Sequence, residues 1–165
     1  MIGIYWDCDG TLMDTERSYG LAWKEHLSDF GLEISEEETG QWFGVDDRLV
    51  HSFYAKNVDL ENFDKTMASL GKIIEGTLNE KLMFQDAKTL LKETNNRGWT
   101  SACVSASPYE LLKNKLTKAN IFDYFSYIIG GDQVKRNKPY PDIYNKAISE
   151  LQTTKNIVIE DSPPG

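Results

Sequence analysis

Ile2-Gly3-Ile4-Tyr5-Trp6-Asp7-Cys8-Asp9-Gly10-Thr11-Leu12 is the stretch on which the reading of this chain turns. Ile2 to Trp6 is a short run of β-branched and aromatic side chains, the composition of a buried parallel strand. Two carboxylates, Asp7 and Asp9, come directly after it. Gly10 then lets the backbone turn sharply beside them. In open α/β sheets, ligands bind beyond the carboxyl ends of the strands. The residues just past each further strand therefore matter most.

Three more apolar runs read as buried strands: Trp99 to Val104, Tyr127 to Ile129 and Ile157 to Ile159. Helical stripes lie between them. One carries Ala87, Leu90, Leu91 and Thr94, another Leu111, Leu112, Leu116 and Ala119, and a third Tyr144, Ala147, Ile148 and Leu151. This alternation implies right-handed crossovers and a parallel sheet covered on both faces. Ser105 and Ser107 come after the second strand, Lys138 sits in a loop after the third, and Glu160 and Asp161 come after the fourth. Carboxylates, hydroxyl groups and one lysine thus share a sheet edge.

Residues 15–82 break the alternation. Tyr19, Ala22, Trp23, His26, Leu27 and Phe30 form an i, i+3, i+4 stripe that Gly31 ends. Ser35 and Glu38 make a capping box. Leu49, Val50, Phe53 and Tyr54 mark a third helix, and Phe63, Met67, Leu70, Ile74 and Leu78 a fourth. The expected organisation is a Rossmann-like α/β core, residues 1–14 and 83–165, with an all-helical cap, residues 15–82, inserted after the first strand.

Composition sets the outer bounds. The chain has 165 residues, 40% hydrophobic and 27% charged, as in an ordinary soluble globular protein. No apolar run approaches the roughly 18 residues that a membrane span needs. A net charge of −8 argues against nucleic-acid binding, which requires a basic face. It also means that an anionic substrate would need local cations or a metal. Cys8 and Cys103 are too far apart in sequence for a metal cluster and read as small buried thiols of a reducing, cytoplasmic compartment. His26 reads as a satisfied core histidine and His51 as a surface residue. The run Glu36-Glu37-Glu38 reads as a solvated helix start favoured by the macrodipole.

Phosphoryl transfer needs a nucleophile, a cation, donors for the phosphate and a proton source for the leaving group. The sheet edge supplies each. A carboxylate can attack phosphorus to give an acyl phosphate that water hydrolyses. Mg²⁺ takes oxygen ligands, and Asp7 and Asp161 could supply them. Ser105 can donate to phosphate oxygens, and Lys138 supplies a cation. Asp9 can serve as general acid and base.

These residues fall into an ordered set of motifs. Asp7-Cys8-Asp9-Gly10-Thr11-Leu12, then Val104-Ser105, then Lys138-Pro139 with Pro141-Asp142, then Ile157-Val158-Ile159-Glu160-Asp161-Ser162 resemble the four signatures of the haloacid dehalogenase superfamily. The match spans essentially the whole chain. Asp14-Thr15-Glu16, Ala22-Trp23-Lys24 and Gly44-Val45 resemble the helical cap of its β-phosphoglucomutase-like branch. The resemblance implies Asp7 as nucleophile and metal ligand. It implies Asp9 as acid/base, with its backbone carbonyl on Mg²⁺. Ser105 and Lys138, with Ser107 as a further candidate, would hold the phosphoryl group. Asp161 and Glu160 would complete the metal site. The implied substrate is a small phosphate ester, and an acid at Asp9 separates phosphatases and mutases from dehalogenases.

Two departures qualify the resemblance. Tyr19 stands where a β-phosphoglucomutase-like mutase would have histidine, and Asp47 where it would have the cap arginine, although Arg48 is adjacent. Hydrolysis of a small phosphomonoester is therefore expected over phosphomutase activity. The sequence also stops at Gly165, directly after the fourth motif, whereas family members continue with a helix and at least one more strand. The C-terminal part of the core is thus expected to be missing. The Glu160-Asp161 loop becomes a chain end and the strand before it an exposed edge. A monomer, or a homodimer paired across that edge, is the corresponding expectation. A weakly active or inactive protein that acts by binding is the alternative. A phospho-accepting receiver domain also uses Asp, Mg²⁺ and Lys, but the helical insertion and the Asp7–Thr11 motif argue against it.

Overall fold

The computed structural model describes residues 1–42 and 47–162. Gly44-Val45 and the terminal Gly165 lie outside the described residues. In chain order the regular elements are β1 (Ile2–Trp6), α1 (Glu16–Asp29), α2 (Glu36–Gly40), α3 (Asp47–Tyr54), α4 (Phe63–Thr77), α5 (Gln85–Asn96), β2 (Thr100–Ser105), α6 (Tyr109–Lys118), β3 (Tyr127–Gly130), α7 (Asp142–Leu151) and β4 (Lys155–Ile159). Two compact units result: Met1–Asp14 with Asn79–Gly165, and Thr15–Leu78.

The first unit is built on a four-stranded sheet of order β3-β2-β1-β4. Every pairing is parallel, with Tyr5 opposite Ala102 on one side and Val158 on the other. Successive side chains of a strand point to opposite faces, so β1 feeds two cores. Ile4 and Trp6 join Cys103, Leu91, Leu112 and Leu116, which brings in α5 and α6. Tyr5 joins Ala102, Val104 and Ile129 on the other face, closed by Ile143 and Ala147 of α7. The chain therefore winds helices onto both faces of a parallel α/β sheet, as the alternation predicts. Chain order reverses at β1, which leaves a crevice at its carboxyl end.

The helical stripes need correcting at three positions: Leu49 and Phe53 of α3 are 63% and 44% exposed, and Leu90 of α5 is the third. Leu90 is 44% exposed while Leu91 is buried, because the face of α5 turned to the sheet runs through Leu91 and Thr94. The fourth strand, whose apolar run alone reads as buried, is the exposed edge expected of it: Ile157 is 46% and Val158 45% exposed. Among the described residues β4 pairs with β1 alone, so it is an edge strand without the two-sided cover that a parallel strand usually has.

The second unit is helical. Ser35 Oγ accepts from Glu38 N, and Glu38 returns the bond to Ser35 N, so the capping box at α2 is complete. Asn62 caps α4 through Lys65 N. His26 is buried between Trp23 and Phe30, with ring centroids 6.3 and 5.1 Å away. It is not the satisfied histidine that the stripe suggests, since its Nε2 is buried without a hydrogen-bond partner. No described helix is long and apolar enough to cross a membrane.

Candidate functional site

Asp7 is the first residue past β1. Its N–H donates to Ile159 O at 2.9 Å, which continues the ladder one step and holds the side chain at the sheet edge. The next residues fold back tightly. Leu12 and Met13 N–H groups both donate to Cys8 O, and Gly10 N donates to Met13 O at 2.8 Å. Gly10 sits at φ +83°, which a side chain rarely tolerates.

This turn receives the end of β4. Thr11 Oγ1 donates to Asp161 Oδ1 at 3.1 Å, and Asp161 N donates to Glu160 Oε2 at 3.1 Å. Asp7, Glu160 and Asp161 each bring a carboxylate oxygen within 4.8 Å of the others. Three hard oxygen donors at that spacing suit a divalent cation such as Mg²⁺.

Lys138 reaches into the same group from the loop after β3. Its Nζ donates to Asp7 Oδ1 at 2.6 Å and to Glu160 Oε1 at 2.8 Å, and both partners are nearly buried. The face of the Tyr144 ring backs it at 5.2 Å. Burial disfavours the ammonium charge, yet Asp7 and the hydrogen bonds to Asp7 and Glu160 hold it above its ordinary range. Burial pushes the Asp7 carboxyl up to about 7 against the pull of Lys138, and the charges of Glu160 and Asp9 push it the same way. Three carboxyl groups, Asp7, Glu160 and Asp161, stand around this one lysine.

Asp9 lies across the turn, with a separate set of partners. Ser105, the last residue of β2, donates to Asp9 Oδ2 at 3.2 Å, and Ser107 donates to the same oxygen at 3.0 Å. Ser107 N in turn donates to Ser105 Oγ at 3.1 Å. Lys115 of α6 donates to Asp9 Oδ1 and, at 3.1 Å, to Ser107 Oγ.

The fold therefore gathers Asp7, Asp9, Ser105, Ser107, Lys138, Glu160 and Asp161 at one end of the sheet. Two polar residues here escaped sequence reasoning. Lys115 is one; its spacing from Leu112, Leu116 and Ala119 on the buried face of α6 was the available signal. Asn137 is the other. Its Nδ2 donates to Ala106 O at 3.0 Å while its Oδ1 accepts from Lys138 N at 2.8 Å, which ties the serine loop to the lysine loop. A lone Asn in a loop carries no such signal in sequence. In the helical unit, Arg48, the neighbour of Asp47, lies 4.5 Å over the Phe63 ring.

Comparison with known proteins finds relatives in sequence and in fold. A model of the family described as haloacid dehalogenase-like hydrolase matches residues 4–165. The phosphorylated carbohydrates phosphatase of Thermotoga maritima is 29% identical over 100% of this chain and 78% of its own length. The fructose-1-phosphate phosphatase of Escherichia coli is 26% identical over 99% of this chain and 88% of its own. A solved T. maritima structure described as a candidate β-phosphoglucomutase superposes with a TM-score of 0.86 at 24% identity, covering 100% of this chain and 78% of that one. The last likeness speaks for the fold.

Proposed function

This chain belongs to the haloacid dehalogenase-like hydrolase family, and on that premise we propose that it is a Mg²⁺-dependent phosphatase of small phosphomonoesters, sugar phosphates foremost. The observation that carries the reading is the Lys138 ammonium bridging Asp7 and Glu160, with Asp161 beside them. A carboxylate nucleophile, a fixed cation and an oxygen-donor set stand within one small volume. The substrate class rests on the two similar phosphatases, named for phosphorylated carbohydrates and fructose-1-phosphate.

Asp7 attacks phosphorus, so a bond forms from its carboxylate oxygen and the bond to the leaving alcohol oxygen breaks. The Asp9 carboxyl gives its proton to that oxygen. Water then attacks the aspartyl phosphate while Asp9 takes up its proton, which releases inorganic phosphate and restores Asp7. Lys138 and the Ser105 hydroxyl hold the phosphoryl oxygens, with Ser107 beside them. Asp7, Asp161 and Glu160, with the Asp9 backbone carbonyl, would hold Mg²⁺, whose chemistry is to neutralise charge on the phosphoryl oxygens. Tyr19 and Asp47, in place of a histidine and an arginine, favour water over a second phosphosugar as acceptor.

The test is turnover of p-nitrophenyl phosphate and a panel of sugar phosphates, with Mg²⁺ and with chelator, beside Asp7→Asn. Phosphate release that needs Mg²⁺ and is lost in Asp7→Asn is expected. Release unaffected by either change would overturn the reading, as would a folded wild type inert on the whole panel.

A further inference from the structure

We infer that Lys115 is a positioning residue that anchors one oxygen of Asp9 and leaves the other to carry the catalytic proton. The inference rests on the acid/base role proposed for Asp9 and deepens it.

Lys115 lies on the buried face of α6, with Leu112 and Leu116, and its side chain is 0% exposed. Burying an ammonium group is costly unless it is paired and hydrogen-bonded. Hydrolysis already has its phosphoryl cation in Lys138, on the other side of the turn. Lys115 instead engages the Asp9 carboxylate at Oδ1 and braces Ser107 at 3.1 Å. The second oxygen, Oδ2, takes the Ser105 and Ser107 hydroxyls. The two oxygens of Asp9 are therefore held in different ways. The hydroxyls can rotate. When Ser105 turns its hydrogen to a phosphoryl oxygen, Oδ2 loses that donor and becomes available to the leaving group. Lys115 has no such freedom, because helix and core enclose it. It keeps Oδ1 in place through that exchange and so fixes the direction in which Oδ2 faces.

The sequence pattern supports this division. Ser105 ends β2 and Ser107 sits in the loop beyond it, where hydroxyl rotation costs little. Lys115 sits inside a helix whose neighbouring turn is packed into the sheet. A residue kept only for stability at this position would be apolar, since replacing a buried ion pair by packed apolar groups is often neutral or stabilising.

The test compares wild type, Lys115→Met and Lys115→Gln on two substrates with Mg²⁺. p-Nitrophenolate departs without protonation, whereas the alkoxide of an alkyl or sugar phosphate needs a proton from Asp9. In both variants kcat/KM on the alkyl ester, which reports transfer to Asp7 and not the later hydrolysis that both substrates share, is expected to fall roughly 10²-fold, the cost of a small misplacement of a reacting group. The loss of kcat/KM on p-nitrophenyl phosphate is expected to stay within about tenfold. Equal losses on both substrates would overturn the inference, since general damage to the fold does not sense the leaving group. A crystal structure of Lys115→Met reads the positioning without turnover. Asp9 turned away from Ser105 and Ser107 supports the inference, and Asp9 unmoved overturns it. A wild type inert on both substrates, with Asp9 displaced in the variant, would sink the hydrolase reading and leave the positioning intact.

Discussion

A Cβ placed on Gly10 would overlap the carboxylate of Asp161, so the turn after the first strand and the end of the last one are fitted to each other at a position with room for hydrogen alone. Gly10 also holds φ +83°. The atom it would strike is the end of a flexible side chain, so relief comes from swinging Asp161 out. Gly10→Ala is therefore expected to fold, at a cost of about 1–2 kcal/mol for the left-handed backbone. Its Mg²⁺ requirement is expected to rise tenfold or more, roughly what one lost carboxylate ligand implies. A Mg²⁺ titration of activity beside a thermal melt checks both, and an unchanged Mg²⁺ midpoint would remove Asp161 from the metal site.

Lys138 is the cation that stands between Asp7 and Glu160. Lys138→Met leaves those carboxylates facing one another, and removing one partner of a buried pair costs about 3–5 kcal/mol. Added Mg²⁺ supplies the missing positive charge. The melting temperature of the variant in chelator should fall well below wild type, and its rise on adding Mg²⁺ should exceed the wild-type rise. Equal Mg²⁺ shifts in the two proteins would show that lysine and metal do not share these carboxylates.

Asn137 joins Ala106 O to Lys138 N. Asn137→Ala removes both hydrogen bonds at a half-buried site, so stability should fall by only about 1–2 kcal/mol. The larger effect should be on chemistry, because Lys138 loses its tie to the loop that carries Ser107. A fall of about tenfold in kcat/KM is expected, and activity within about twofold of wild type would make Asn137 a loop brace only.

His26 offers the pH test. Burial lowers its pKa, only partly offset by Asp29 and Glu61, while His51 adds to the lowering. The folded state thus binds its proton at lower pH than the unfolded chain does. Its contribution to stability is complete above the ordinary histidine value of about 6.5 and is lost as pH falls below it. His26→Phe keeps an aromatic ring beside Trp23 and Phe30 and removes the unpartnered Nε2. The melting temperature of the variant relative to wild type should rise between about pH 7.5 and about pH 5.5. A difference that does not change with pH would mean that His26 titrates as it does in the unfolded chain.

Much of the fold is legible locally because its signals are local. A strand announces itself by its apolar run, and the start of α2 by Ser35 and Glu38 three residues apart. Burial is less legible. Leu90 and Leu91 are equally apolar, and only the direction from which the sheet approaches α5 decides that the second is buried. The apolar run of β4 by itself reads as buried, whereas the exposed edge expected for it, and found, is a matter of which strands flank it.

The chain's own order of residues determined the elements, the parallel α/β class and the set of carboxylates, serines and lysine at the strand ends. Periodicity and strand-end position are properties of neighbours along the chain, and they need no partner to be read. The tertiary structure alone decided which carboxylates Lys138 meets, that Asp161 closes against Gly10, and that a helix lysine belongs to Asp9. These are contacts between residues as many as 151 positions apart in the chain, as with Gly10 and Asp161. Their existence depends on strand register and helix rotation to within a few ångströms, and only the packed core sets those.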